Sequence, residues 1–197
     1  MASTAAITAY QLAGFRHPFR LAALRRGLLA FESGQAYDGD LEPYLRAYSR
    51  NGSFDTSPYS ARFWIRGQHS KIYNDTYYAI LLRFEKSEIA RIGIELTDGE
   101  TMTFRQIQGR KDSDECEKFA QNALAPLRWE KMLLEMAGDW AKRHRFTRIG
   151  VQPARNNTYW KDTQPERNAR LYLKYDVTAR RSGFRFDEDS QAYVRDL

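Results

Sequence analysis

Cations and aromatics alternate through one short stretch of the chain: Arg62, Trp64, Arg66, His69, Lys71, Tyr73, Tyr77 and Tyr78. Such an array offers charge to phosphates and flat faces to bases. It suits single-stranded nucleic acid, adenine nucleotides or CoA, and it is equally the makeup of a plain solvated surface. Further on, Arg167, Arg170, Lys174 and Arg181 fall at i, i+3, i+7 and i+14, one basic stripe if the segment is a regular helix. From Lys142 to Gly183 there are 11 Lys and Arg against 3 Asp and Glu, so this third of the chain attracts anions. Other chemistries are poorly served. His17, His69 and His144 are far apart and no His-Glu-x-x-His or Cys-x-x-Cys spacing occurs, so no metal site is expected. Cys116 stands among Asp112, Asp114, Glu115 and Glu117, a poor setting for a nucleophile. No Gly-x-Ser-x-Gly elbow, Walker loop or dinucleotide fingerprint appears.

Composition narrows the class. The chain has 197 residues, 42% hydrophobic and 28% charged, with a net charge of +6. That is enough apolar material for one sizeable core, and it excludes collagenous, disordered and low-complexity chains. Runs such as Ala79-Ile80-Leu81-Leu82 are far too short to span a bilayer, so no membrane is expected. A single cysteine excludes an intrachain disulfide framework and agrees with a reducing compartment. Residues 1–31 contain no acid and carry Arg16, Arg20, Arg25 and Arg26, a composition shared with organelle transit peptides. No secretory apolar region with a small-residue cleavage site accompanies it, and the expected location is cytoplasmic.

The elements that must position these residues follow from periodicity. Residues 7–12 read as a first strand and 18–31 as a helix. Asp40 is placed to cap a second helix running to about Arg50. Ala61 to Arg66 reads as a short strand or an ordered loop. Tyr77 to Phe84, Ile89 to Leu96 and Thr101 to Ile107 read as strands. The last two flank Thr97-Asp98-Gly99-Glu100, a strong hairpin signal. A helix opens near Asp112 or Ser113 and is divided by Pro126 from a second. There Trp129, Met132, Leu133, Met136 and Trp140 form a buried stripe. Arg148 to Val151 reads as a strand stopped by Pro153. Thr163-Gln164-Pro165-Glu166 reads as a capping box opening a helix to Ser182, with Gly183 in a left-handed cap. Phe184 to Phe186 and Ala192 to Val194 close the chain as a hairpin. The expectation is a single α/β domain with a mixed, mostly antiparallel sheet and helices on both faces. It divides into a strand and two helices (1–58), antiparallel strands (76–109) and a helix-strand-helix-hairpin part (112–197).

This order of elements resembles that of the GNAT (N-acetyltransferase) superfamily. Residue support lies at Asn168-Ala169-Arg170-Leu171-Tyr172 and Ser182-Gly183-Phe184, since members commonly carry an early Asn and Ala, a Leu-Tyr pair and a terminal Gly-Phe around the last helix. Here the interval from Tyr to Gly is longer by about two turns. The family's loop for the CoA pyrophosphate is patterned Gln/Arg-x-x-Gly-x-Gly/Ala. This chain has Gln106-Ile107-Gln108-Gly109-Arg110-Lys111, with Lys111 where a small residue belongs.

The resemblance implies an N-acyltransferase moving an acyl group from acetyl-CoA or another acyl-CoA to an amine, on a small molecule or a protein. It implies Gln108, Gly109, Arg110, Lys111 and Asn168 as cofactor-binding residues, with the donor between the Gln108–Lys111 segment and the last helix. Tyr172 matches the position of the family's acid, with Tyr175 one turn further along; core packing is the other role open to both. No acid lies on the Thr101–Ile107 strand to act as base, leaving Glu95 and Glu100 as substitutes. The competing expectation is a non-catalytic GNAT-like module that binds nucleic acid or another polyanion through the basic and aromatic surface.

Overall fold

The computed structural model describes residues 31, 35–52, 54–66, 68, 75–96, 100–111 and 114–197. The expected first strand (7–12), nearly all of the first helix (18–31), the Asp98-Gly99 turn and the start at Asp112 or Ser113 lie outside the described residues. The elements are α1 (Glu42–Ala47), β1 (Tyr59–Ile65), β2 (Tyr78–Phe84), β3 (Ser87–Leu96), β4 (Thr101–Gly109), α2 (Asp114–Leu124), α3 (Trp129–Arg143), β5 (Arg148–Val151), a 3-10 turn (Ala154–Asn156), α4 (Pro165–Tyr172), a π turn (Leu173–Val177), α5 (Thr178–Arg181), β6 (Arg185–Asp187) and β7 (Ala192–Asp196).

The strands form one seven-stranded sheet in the order β1-β2-β3-β4-β5-β7-β6. Every pair is antiparallel except β4 with β5, so the sheet is mixed, as expected. The segment Ala61 to Arg66, left open between strand and loop, belongs to β1. Residues 35–37 run along its outer edge: Ala36 bridges Arg62, Tyr37 N–H donates to Ala61 O at 2.9 Å, and Phe63 N–H donates to Gln35 O at 2.9 Å.

Register explains the core. Phe63, Ile80, Ile92 and Ile107 stand in one row across β1 to β4, all at most 1% exposed. Against this face lies α3, whose stripe Trp129, Met132, Leu133, Met136 and Trp140 is buried as its spacing requires. Trp140 meets Phe31 edge-on at 5.2 Å and stacks on His144 at 4.0 Å. α2 packs on β3, while α1 and α5 pack on α3. Helices α1, α2, α3 and α5 therefore share one layer, while α4 packs on the 3-10 and π turns. The expectation of helices on both faces is met for one layer among the described residues. The other face is nonetheless apolar: Trp64, Ala79 and Leu81 form a second cluster, with the fully buried Arg91 guanidinium 5.0 Å over the Trp64 ring.

Gly93 belongs to that second face. A Cβ there would stand 2.9 Å from Gln106 Cβ and would also collide with the Thr76 hydroxyl, which is held by its bond to Tyr78 O at 2.8 Å. Gly93→Ala is expected to cost about 1–3 kcal/mol by overpacking. A urea midpoint equal to that of the parent chain would contradict this.

Several ends differ from expectation for local reasons. α1 is shorter than the expected 40–50: it begins after Leu41, while Asp40 Oδ1 accepts the Glu42 N–H at 3.1 Å. It stops at Ala47 because the backbone beyond is taken elsewhere. Arg128 N–H donates to Tyr48 O at 2.9 Å, and Arg50 N–H to Pro126 O at 2.7 Å. The capping box does not form. Pro165 starts α4, the residue before a proline is driven out of the helical region, and so Gln164 becomes the cap with φ −126°. The last helix is also not regular, being interrupted by the π turn. Gly183 closes it at φ +80°, in the expected left-handed cap.

Candidate functional site

The β4–β5 pair is short and then parts. It runs from Thr101 opposite Arg148 to Phe104 opposite Val151. Arg105 is an extra residue on β4, since Gly93 pairs Gln106 while Ile94 pairs Phe104; such bulges re-aim a strand. On the other side Pro153 has no N–H to continue β5, and the chain turns away through Ala154–Asn156. Past the divergence, Ile107 N–H finds no partner on β5. It donates to the Tyr175 hydroxyl at 3.0 Å, which also accepts from Asn157 Nδ2 at 2.9 Å. Gln152 spans the fork by donating to Arg105 O.

The π turn delivers Tyr175 to this place. Thr178 Oγ1 donates to Leu173 O at 3.2 Å, and consecutive Tyr175 and Asp176 are both buried. Asp176 Oδ2 accepts the Ala154 N–H at 2.9 Å and Oδ1 accepts from Tyr193 Oη at 2.9 Å, which fixes the turn leaving β5. Burial pushes the Tyr175 phenol up to about 12, so it is neutral at physiological pH.

Hollows flank the fork. One, about 400 Å³, lies between Gly109–Lys111, the α2–α3 corner and Lys174. A neighbour of about 200 Å³ is lined by Arg50, Arg128, Glu130, Lys131, Thr178 and Arg181, and the two share Arg50 and Glu130. Lys174 lies 5.6 Å over the Trp129 ring, and burial lowers its pKa while Glu130 opposes that shift. Burial raises the Glu130 carboxyl, against the pull of Lys174 and Arg50. A third hollow, about 320 Å³, has Arg66, Asp75, Glu95, Arg105, Gln152 and Thr158 on its walls.

The residues expected at a site divide. Gly109, Arg110 and Lys111 line the largest of these three hollows, although Gly109 is strand, paired with Ala90, and Arg110 N–H donates to Ile89 O at 2.9 Å. Gln108 sits beside them on β4 with its Oε1 accepting from Gln106 Nε2 at 2.5 Å. Asn168 is buried elsewhere: it accepts the Lys161 N–H at 3.2 Å and donates to Lys161 O at 2.8 Å, pinning the loop before α4. Tyr172 is 40% exposed and accepts from Arg180 at 3.2 Å, on the side of Tyr193 rather than the fork. Glu95 pairs with Arg105, and Glu100 is exposed at the far end of β4.

The alternating cation and aromatic array is turned inward in part, while Arg66 is exposed. Trp64 and Tyr78 are buried, and Arg62 is paired with Glu88 at 2.6 Å; His69, Lys71 and Tyr73 lie outside the described residues. The basic stripe is broken as well, because the π turn shifts the helical register and sends Lys174 inward. Sequence reasoning passed over Asn157, Gln152, Asp176 and Arg50. Only Asp176 leaves a trace, as the single acid between Arg167 and Arg181.

Among the described residues no group of three or more His, Cys, Asp and Glu could hold a metal ion. Among them, too, no helix is long and apolar enough to cross a membrane. No protein-family model matches the chain, and no curated protein matches it by sequence.

Proposed function

We propose that this chain has the acyl-CoA N-acyltransferase architecture and moves an acyl group from an acyl-CoA to an amine. The observation that carries this is the fork: one parallel pair in an otherwise antiparallel sheet, parted after four residues, with a β4 amide beyond the fork held by a side-chain hydroxyl instead of a strand. A hydroxyl is exchangeable for a carbonyl oxygen of a ligand, whereas a ladder partner is not.

The residues around the fork have complementary roles in this proposal. Ile107 N–H would be the donor toward the acyl carbonyl. Tyr175 Oη, neutral by burial, would hold the proton that a departing thiolate needs. Glu95 and Asp75, on the wall of the third hollow, are the carboxylates nearest in kind to a base for the amine; Glu95 would first have to exchange Arg105 for the amine. Acyl-CoA supplies the activated acyl group. Its phosphates do not fit the start of α2, where Asp114, Glu115 and Glu117 crowd the first turn and would repel them. Cations around the first two hollows suit them better.

Thermal shift with acetyl-CoA, CoA and ADP tests this. A ligand at 100 times its Kd stabilises by about 2.7 kcal/mol, or roughly 5–10 °C for a chain of this size. No shift with any of the three at millimolar concentration removes the proposal. A second role is favoured by one observation, that Tyr175 already fills the fork: a non-catalytic module that binds a polyanion. Stabilisation by ADP and CoA with no thiol release across a panel of amines would select it.

A further inference from the structure

We propose that the hollow at the start of α3 is a binding site for a small phosphorylated ligand, its phosphate held by Arg50, Arg128, Lys131 and Arg181. Four cations from three segments converge on a concavity of about 200 Å³ whose one carboxylate is Glu130. They are also uncommitted. Some arginines elsewhere are neutralised, as in Arg195 with Glu135 at 2.8 Å and Arg143 with Asp38 at 3.0 Å. Arg128, Lys131 and Arg181 make no ion pair among the described residues; Lys131 rests 5.9 Å over the Tyr48 ring. Arg50 spends only its Nε, on Leu127 O at 3.0 Å.

Like charges gathered without counter-charge repel one another, so their convergence has to be held by other bonds. Here it is. Residues 48–50 are tied to 126–128 by Arg50 N–H to Pro126 O, Arg128 N–H to Tyr48 O, and the Arg50 Nε bond. The backbone thus presents a preorganised set of donors, which lowers the ordering cost of capturing an anion. Phosphate, with several acceptor oxygens, matches converging guanidinium groups better than a carboxylate does. The adjoining hollow of about 400 Å³, carrying Lys111 and Lys174 and floored by Leu124 and Trp129, has room and apolar surface for the body of the ligand. A concave site also favours a small molecule over nucleic acid, since Trp64 and Tyr78, which a single strand would stack on, are buried. The site rests on the acyl-CoA reading in that the same two hollows would take the phosphates of the donor, but pyrophosphate binding without thiol release from acetyl-CoA would leave this site standing and remove acyl transfer.

Calorimetric titration of the full chain with inorganic pyrophosphate provides the test. Sub-millimolar binding is expected, weakening as salt rises. Arg128→Gln combined with Arg181→Gln should weaken it tenfold or more; both side chains are exposed, so folding should be spared. Lys131→Gln alone provides a second variant and should weaken it severalfold. Lys118→Gln with Lys161→Gln removes the same charge at other exposed positions and should change affinity less than twofold. Absence of pyrophosphate binding, or equal weakening by the control pair, overturns the site. So does a single-stranded oligonucleotide whose affinity grows with length while pyrophosphate gives no heat.

Discussion

Tyr175→Phe is expected to lower the melting temperature by about 5–15 °C and any acyl-transfer rate by about 10²- to 10⁴-fold. The ring stays, so packing is nearly unchanged. What goes is one oxygen that accepts from Ile107 N–H and Asn157 Nδ2. Both donors are buried and would be left unsatisfied, at about 1–3 kcal/mol each. Tyr172→Phe is the matched control. Its hydroxyl is exposed and bonded to Arg180, so its loss should move stability by less than about 0.5 kcal/mol. Alkaline titration adds a readout specific to the phenol. Tyr175 titrates at about 12 in the folded chain against the ordinary 10.0, so the folded state holds this proton more tightly. The stability it contributes is complete below pH 10 and is lost as pH rises through 12. In Tyr175→Phe that component of the alkaline loss should vanish. A variant as stable as the parent with the same alkaline profile would show that the hydroxyl is not engaged at the fork. Lost turnover with small loss of stability would identify it as the acid.

Trp140→Ala should be the most damaging single truncation of the core. Trp140 is 1% exposed and meets Phe31, Phe63, His144 and Phe146. Removing an indole from such a place costs about 3–5 kcal/mol, part transfer and part cavity. Urea unfolding followed by circular dichroism checks this, and a loss under about 1.5 kcal/mol would contradict it. Trp160→Ala is the comparison, since Trp160 is only half-buried and bonds Asp162 at 3.1 Å. The damage should reach the anion hollow too. Trp140 lies in α3, and the first turn of the same helix carries Glu130 and Lys131. Pyrophosphate binding should weaken in Trp140→Ala even under conditions where the chain remains folded.

What could be read in the sequence was local. The α3 stripe needed only a 3.6-residue period, and Gly183 only the knowledge that a left-handed cap favours glycine. The β3 and β4 strands were visible from alternation, and the mixed sheet from element order. What escaped depends on contacts distant in sequence. The π turn exists to bring Tyr175 to Ile107 and Asp176 to Ala154, 68 and 22 residues away, and no local period announces it. Assuming a regular helix therefore drew a basic stripe that is absent. Trp64 and Arg62 looked like a surface because cations and aromatics alternate there. In fact the Trp64 end of β1 is buried on both faces while Ser60 is exposed, and alternation tells sides apart without saying which is wet. The anion hollow was invisible for the same reason: Arg50 and Arg128 are unremarkable until the bonds between 48–50 and 126–128 bring them together, beside Arg181.

The margins of the sheet bear on how copies of the chain meet. On one side the backbone groups of β1 that would welcome a foreign strand are already engaged by residues 35–37. On the other side β6 has three residues, and Arg185 and Asp187 put charge at either end. Among the described residues, neither rim offers a long open ladder for strand addition. Among the described residues, both margins are therefore poor footholds for copy-to-copy zippering, and side chains offer the readier route to a dimer.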